Sequence, residues 1–305
     1  LHNNVCDNKL IRHTSRGHKM GNRNYYLKIH RFKKQPLFFI LTFLLTSSFL
    51  SSQAVADLVL SAPPRENANE GRELYEPIAE KLSELLGEKV VYQQPKSWAE
   101  YANKMRDGYY DIVFDGPHFV AWRQKNLKHT PVASLPGTLE FYIVTSKENK
   151  QLNSARDLIG KKICGAPSPH LATDLIYDLF KNPVLQPIIH EVKGGQLNAL
   201  QEFKDGKCAA TIMRSTLFHK LPEEERKNLK VVVKTAQFPN QTISVSQRLQ
   251  NQADAIANFL VSKDGAITAD NLLTRFSGLK KEFIKASPEK FVGAADILEG
   301  VVWGW

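Results

Sequence analysis

Two stretches decide how this chain folds: "KMRDGYYDIVFDG" (residues 104–116) and "EFKDGKCAATIMR" (residues 202–214). Each reads as a helix end, an Asp-Gly stop, an apolar strand and a polar loop. One Asp-Gly stop alone is ordinary helix termination, but the elements around the two stretches also match. The first follows the strand "DLVLSAP" (57–63), then the helix "NEGRELYEPIAEKLSELLG". That helix carries Leu74, Ile78, Leu82 and Leu85 or Leu86 at helical spacing and closes at Gly87. Next come the strand "EKVVYQQ" and the helix "SWAEYANKMRDG", opened by Ser97 with Glu100 three residues later. The second stretch follows the strand "GKKICGAP" (160–167), the helix "SPHLATDLIYDLF", the strand "IIHEVKGG" (188–195) and the helix "QLNALQEFKDG". Strand–helix–strand–helix–strand implies a doubly wound, mostly parallel sheet. Its repetition implies two similar α/β lobes.

Two β-rich runs, "LEFYIVTSKEN" (139–149) and "LKVVVKTAQFPNQTISVS" (229–246), are placed to carry the chain across and back. The expected organisation is a leader (1–56), lobe one (57–143), lobe two (144–236), and the rest of lobe one with C-terminal helices (237–305), joined by a two-segment hinge.

The chain has 305 residues, is 42% hydrophobic and carries a net charge of +10. The charge is local. Residues 1–56 hold nine Lys/Arg and one acid, whereas 57–305 hold 32 basic and 30 acidic residues. The excess belongs to the leader, so nucleic-acid binding is not expected. The leader reads as an export signal. Lys28, Arg31, Lys33 and Lys34 precede the apolar "PLFFILTFLLTSSFL" (36–50), and "AVA" (54–56) places cleavage before Asp57. The apolar run is short against the about 20 residues of a full span. No Cys follows the cleavage point, so a lipid anchor is not expected. The chain opens on Leu1, and Met20 is the candidate start.

Cys164 and Cys208 remain beyond the leader, which holds Cys6. Export invites a disulfide. If both lay on straight parallel neighbours, their offset would be about 10 Å, too far for a bridge. Two buried thiols are therefore expected.

Ligands of open parallel sheets bind beyond the carboxyl ends of the strands. Four loops qualify: "APPRE" (62–66), "FDGPHF" (114–119), "GAPSPH" (165–170) and "MRST" (213–216). In the third, Ser168 is a candidate N-cap and Pro169 suits the first turn. The amides of His170 and Leu171 and the hydroxyls of Ser168 and Thr173 would then face an anion. The plain alternative is that Ser168 caps its own helix. In the second loop Gly116 and Pro117 bring His118 to a helix start. Protonated, His118 and His170 would donate to an anion, and Arg214 is a natural oxyanion clamp. Asp115 is a candidate cap or a partner for a ligand ammonium. Trp98, Tyr101 and Tyr142 are candidate cleft walls or core. Nucleophile-elbow, P-loop and zincin motifs are absent. His118, His129, His170, His190 and His219 have no compact metal spacing, so neither metal nor cofactor is expected.

Over about Leu58 to Phe238 the chain resembles the phosphate/phosphite/phosphonate-binding proteins of bacterial ABC transporters. The markers are "YEPIAEKLSELLGEKVVY", "SWAEYANKMRDGYYDIVFDGPHFVAW", "YIVTSKE", "LIGKKICGAPSPHLAT" and "LNALQEFKDGKCAATI". The resemblance implies an α/β, two-lobed, type II-like periplasmic binding protein. Such a protein is a non-enzymatic monomer that closes on a small anionic ligand and meets the membrane only through its permease. Two stretches depart from the pattern. "PSPHLA" stands where phosphonate binders carry P-S-S-T-S-G, and "KGGQLNA" where they carry Gly-Ser-His before the next helix. Two alternatives stay open: service to a membrane sensor, and a periplasmic enzyme using His118 or His170 as a base.

Overall fold

The computed structural model describes residues 56–180, 182–277 and 281–301. The expected signal peptide lies outside the described residues, apart from Ala56. No described helix is long and apolar enough to cross a membrane.

The first half runs β1 (Leu58–Ser61), α1 (Ala68–Leu86), β2 (Val90–Tyr92), α2 (Trp98–Arg106), β3 (Ile112–Asp115), α3 (Pro117–Leu127) and β4 (Thr130–Ser134). Then follow β5 (Thr138–Leu139), β6 (Phe141–Ser146), β7 (Lys162–Gly165), α4 (Leu171–Asp178), β8 (Ile188–Glu191), α5 (Gln196–Lys204) and β9 (Ala210–Arg214). Two short helices, α6 (Ser215–Lys220) and α7 (Glu223–Arg226), lead to β10 (Leu229–Lys234), β11 (Phe238–Pro239) and β12 (Thr242–Val245). The tail adds α8 (Ala253–Leu260), α9 (Lys263–Thr268), α10 (Asp270–Phe276), β13 (Ile284–Lys285) and α11 (Ala295–Val301).

Local chemistry fixes these elements. Asn67 caps α1 in a full capping box with Glu70, and Gly87 ends it in the left-handed conformation. Ser97 accepts from the Glu100 amide at the start of α2.

Two sheets form, in the orders β13-β4-β12-β3-β1-β2 and β10-β6-β9-β7-β8. Each has the same heart. β2-β1-β3 are parallel, as are β8-β7-β9. The fourth strand of each is antiparallel: β12 pairs with β3, and β6 with β9. The repeated motif read from residues 104–116 and 202–214 is thus a repeated sheet. The fold is α/β and two-lobed, with one such sheet in each lobe. A separate ribbon, β5 paired antiparallel with β11, lies where the chain passes between the sheets in both directions.

One apolar cluster packs α1 and the helices of the tail on the first sheet, through Leu74, Ile78, Leu82, Ile256, Leu260 and Leu272. Another joins both halves, with Val120 of α3, Leu175 of α4 and Leu298 of α11 in one core.

The cysteine expectation is overturned: Cys164 and Cys208 form a disulfide with Cα atoms 5.7 Å apart. The physical reason is the path of the chain before β9. The strand begins only at Ala210, so Cys208 sits in the turn after α5 rather than on a straight extension. The Ala209 amide reaches Lys162 O at 2.9 Å, which draws the turn onto β7.

Candidate functional site

The carboxyl ends of both parallel triplets meet at a cleft of 600 Å³. Pro64, Arg65 and Trp98 line it from the first half, Gly165 to Pro167, His170 and Glu191 to Gln196 from the second, and Arg275 from the tail. A shallower cavity of 390 Å³ lies on the outer face of α1, among Arg72, Glu73 and Glu80, away from both sets of strand ends.

The loop after β7 differs from its sequence reading. Helix α4 begins at Leu171, and its N-cap is His170, not Ser168; the Ala172 amide donates to His170 Nδ1 at 3.3 Å. Pro169 precedes that cap and so is not in the first turn; the peptide bond joining it to Ser168 is cis. Ser168 Oγ donates instead to Asp174 Oδ1 at 2.7 Å, and Thr173 Oγ1 to Ala166 O at 2.5 Å. Both hydroxyls therefore hold their own loop. Asp174 is fully buried with Oδ2 unpartnered, and burial pushes its carboxyl up to about 7 against the opposing pull of the Ser168 hydroxyl.

The uncapped helix starts are elsewhere. Helix α5 opens at Gly195 with no side-chain cap. Gly194 and Gly195 take positive φ (84° and 92°), which only glycine adopts readily, and both line the cleft. Helix α3 likewise opens at Gly116 with Pro117 in its first turn and no side-chain cap.

His118 is buried, and its Nε2 donates to Pro169 O at 3.1 Å, tying α3 to the loop before α4. Burial lowers it to about 3, aided by His170 and Arg65 and opposed by the Pro169 bond. His170 falls to about 4 through burial and the guanidiniums of Arg214 and Arg65. Imidazolium donors at neutral pH are thus a corrected expectation: both rings are neutral because burial disfavours their charge.

Arg214 ends β9, and its amide donates to Gln196 Oε1 at 2.9 Å. Burial, and then the Arg65 guanidinium, lower it to about 10. Arg65 stacks over Phe114 and Phe276 at 5.6 and 5.1 Å and reaches Phe114 O at 3.4 Å. Its neighbour Glu66 is buried, with its carboxyl raised by that burial.

The remaining candidates separate. Trp98 lines the cleft. Asp115 caps nothing and faces no ligand ammonium, because it is fully buried against Arg123 Nε at 2.8 Å and also accepts from the Tyr101 hydroxyl. That pairing takes Tyr101 into the core, where Arg123 Nη2 reaches its hydroxyl at 2.9 Å. Tyr142 packs with Met213, Phe218 and Leu221 behind the second sheet, not in the cleft. Leu171 is buried in the core that joins the halves.

Sequence reasoning missed Arg65, Lys193, Gln196 and Arg275. Arg65 stood in one of the four quoted loops. Gln196 follows the Gly-Gly pair that departs from the family pattern. Arg275 had no signal, because it comes from the tail.

Two α/β lobes with a cleft at the carboxyl ends of their strands are the fold of the type II binding proteins. The chain belongs to the family described as ABC transporter, phosphonate, periplasmic substrate-binding protein, whose model matches residues 60–291. That family comprises the binding components of transporters, not enzymes. The phosphate-import protein PhnD of Mycolicibacterium smegmatis is 28% identical over 115 residues, 35% of this chain and 36% of that protein. The match therefore spans about a third of that relative's length. XAC2383 from Xanthomonas citri, solved bound to ATP, shares the fold at a TM-score of 0.62 and 13% identity, over 81% of this chain and 97% of that one. PhnD1 from Prochlorococcus marinus, solved with methylphosphonate, does so at 0.55 and 15%, over 79% and 97%.

Proposed function

We propose that this chain is an exported binding component that holds a small phosphate- or phosphonate-type oxyanion between its lobes and delivers it to the permease of an ABC transporter. The carrying observation is the basic lining of the cleft, Arg65, Lys193 and Arg275, with Arg214 at the end of β9 beside the cleft residue Gln196 and within the field of Arg65. No carboxylate among the described residues is paired with Arg214. A site with that field favours an anion. The Arg65 and Arg214 side chains, the uncapped start of α5, and Lys193 and Arg275 at the rim would supply the donors. Trp98 would wall the ligand. His118 and His170 act as neutral groups that set the loop. The rival reading of a cleft histidine as catalytic base is not favoured, because the family comprises binding components of transporters. The lobes would close about the β5–β11 ribbon, near the expected boundaries at 143/144 and 236/237, with the chain acting as a monomer and its leader removed before Asp57.

The test is mass spectrometry of whatever co-purifies, then calorimetry with phosphate, phosphite and methylphosphonate. Saturable one-to-one binding of at least one is expected. No binding of any, by protein shown to be folded and empty, would overturn the oxyanion reading.

A further inference from the structure

The disulfide has a third companion. Cys164 lies on β7 and is the Cα partner of His190 on β8. Cys208 reaches the same point from the turn after α5. A ligand atom from each of the three residues lies within 4.8 Å of the others. Glu202 of α5 stands 2.8 Å from His190 Nε2, and Lys207 holds its other oxygen at 3.5 Å.

We propose that Cys164, Cys208 and His190 form a zinc site in the thiol state of the protein, for which the disulfide is the oxidised, metal-free form. Two thiolates and an imidazole are the donor set that zinc takes in tetrahedral sites. With Zn–S of about 2.3 Å and Zn–N of about 2.0 Å, ligand atoms in a tetrahedron stand about 3.6–3.8 Å apart. The three donors lie within 4.8 Å of one another, about 1 Å beyond that spacing at most, so the site needs the two sulfurs to part and the imidazole to draw in around the metal. Glu202 acts as the orienting carboxylate that fixes the imidazole. The fourth position is left to water, consistent with a partly exposed His190 beside two buried cysteines.

The chemistry balances. A dithiol reductant gives two electrons and two protons to the disulfide, leaving two protein thiols and an oxidised dithiol. Zinc then displaces both thiol protons as it binds. Metal thus replaces the covalent link between β7 and the turn before β9. The link matters to the cleft: Cys164 and Cys208 pack against Val192 and Ala199, which line it. None of this depends on which anion the cleft takes.

The test uses untagged protein, oxidised and dithiol-reduced, with cobalt as a spectroscopic probe and zinc in competition with a chromophoric chelator. One metal per reduced chain and a thiolate-to-cobalt charge-transfer band are expected, with neither in the oxidised chain. His190→Ala should weaken zinc at least tenfold, and Cys164→Ser with Cys208→Ser should remove the band. No band in reduced protein, equal zinc binding by the oxidised form, or unchanged affinity in His190→Ala would overturn the proposal. Should reduction unfold the chain, zinc is expected to restore its near-ultraviolet circular dichroism; failure to do so would count equally against the site.

Discussion

Replacing Arg214 with Met separates recognition from folding. The side chain ends β9, is only partly exposed and stands within the field of Arg65. Its fall from the ordinary guanidinium value to about 10 means that holding the charge there costs on the order of 3 kcal/mol, and roughly half that once residual solvent screening is allowed for. The sign follows from linkage. The folded chain binds this proton less tightly than the unfolded chain, so the penalty is fully present below pH about 10 and disappears only above the ordinary guanidinium value. Met keeps the bulk and removes the charge. The ligand-free variant should therefore be more stable, by about 1–2 kcal/mol, or roughly 2–8 °C in a chain of this size. Binding should move the other way. A hydrogen bond to a charged group contributes about 1.5–3 kcal/mol, so affinity for methylphosphonate or phosphate should fall about 10- to 150-fold. The assay pairs calorimetry with denaturant unfolding of the empty protein at pH 7. Near-native affinity with a lowered midpoint would refute the reasoning and make Arg214 a structural residue.

With His118 and His170 neutral, affinity for methylphosphonate measured between pH 6.0 and 6.8, after correction for the ligand's own ionisation, should be flat; a steep fall would mean that an imidazolium donates. His118, His129 and His170 are lowered to about 3, 3 and 4 by burial. Their contribution to stability should be complete above 6.5 and lost as pH drops towards 4, read as a falling urea midpoint that His129→Gln makes less steep. Ser168→Ala should cost about 1–2 kcal/mol of folding, because it strips the Asp174 carboxyl of its one hydrogen bond. It should leave oxyanion affinity within about threefold by calorimetry; a loss as large as that of Arg214→Met would return Ser168 to the ligand. His118→Ala removes the Pro169 contact between the halves, and small-angle scattering of the empty variant should give a larger radius of gyration than the native chain.

The fold was legible because the periodic elements are local. Leu74, Ile78 and Leu82 give α1 its face, Gly87 stops it, and Ser97 opens α2, whatever the rest of the chain does. The repeat of five elements then fixes the parallel triplets. What escaped depends on contacts between distant residues. Ser168 reads as a cap, but its hydroxyl is taken by Asp174, and only the loop's path puts His170 Nδ1 over the Ala172 amide. Asp115 reads as a cap or a ligand group, yet Arg123, eight residues on, claims it in the core. Cys208 looked out of reach because a strand was assumed where the chain turns. Arg275 comes to the cleft from a tail helix in which no pattern marks it.

On the proposed reading, hinge and site are mechanically one object. The strands beside the crossing ribbon, β6 and β12, pair directly with β9 and β3. Phe141 is the partner of Arg214 in that register, and Thr242 of Asp115, just before Gly116 and His118. Rotation at the ribbon therefore carries the cleft ends of β9 and β3 with it, since paired strands do not slide. Closing brings the Arg65 and Arg214 guanidiniums towards each other. Two like unit charges about 4 Å apart at an effective dielectric constant of 20 repel by about 4 kcal/mol, and by less in proportion to any greater separation. An anion between them reverses the sign of that term for each. Closure with an empty cleft is thus opposed by the same pair that favours closure when it is full, and coupling of ligand to shape needs no device beyond two arginines on opposite lobes.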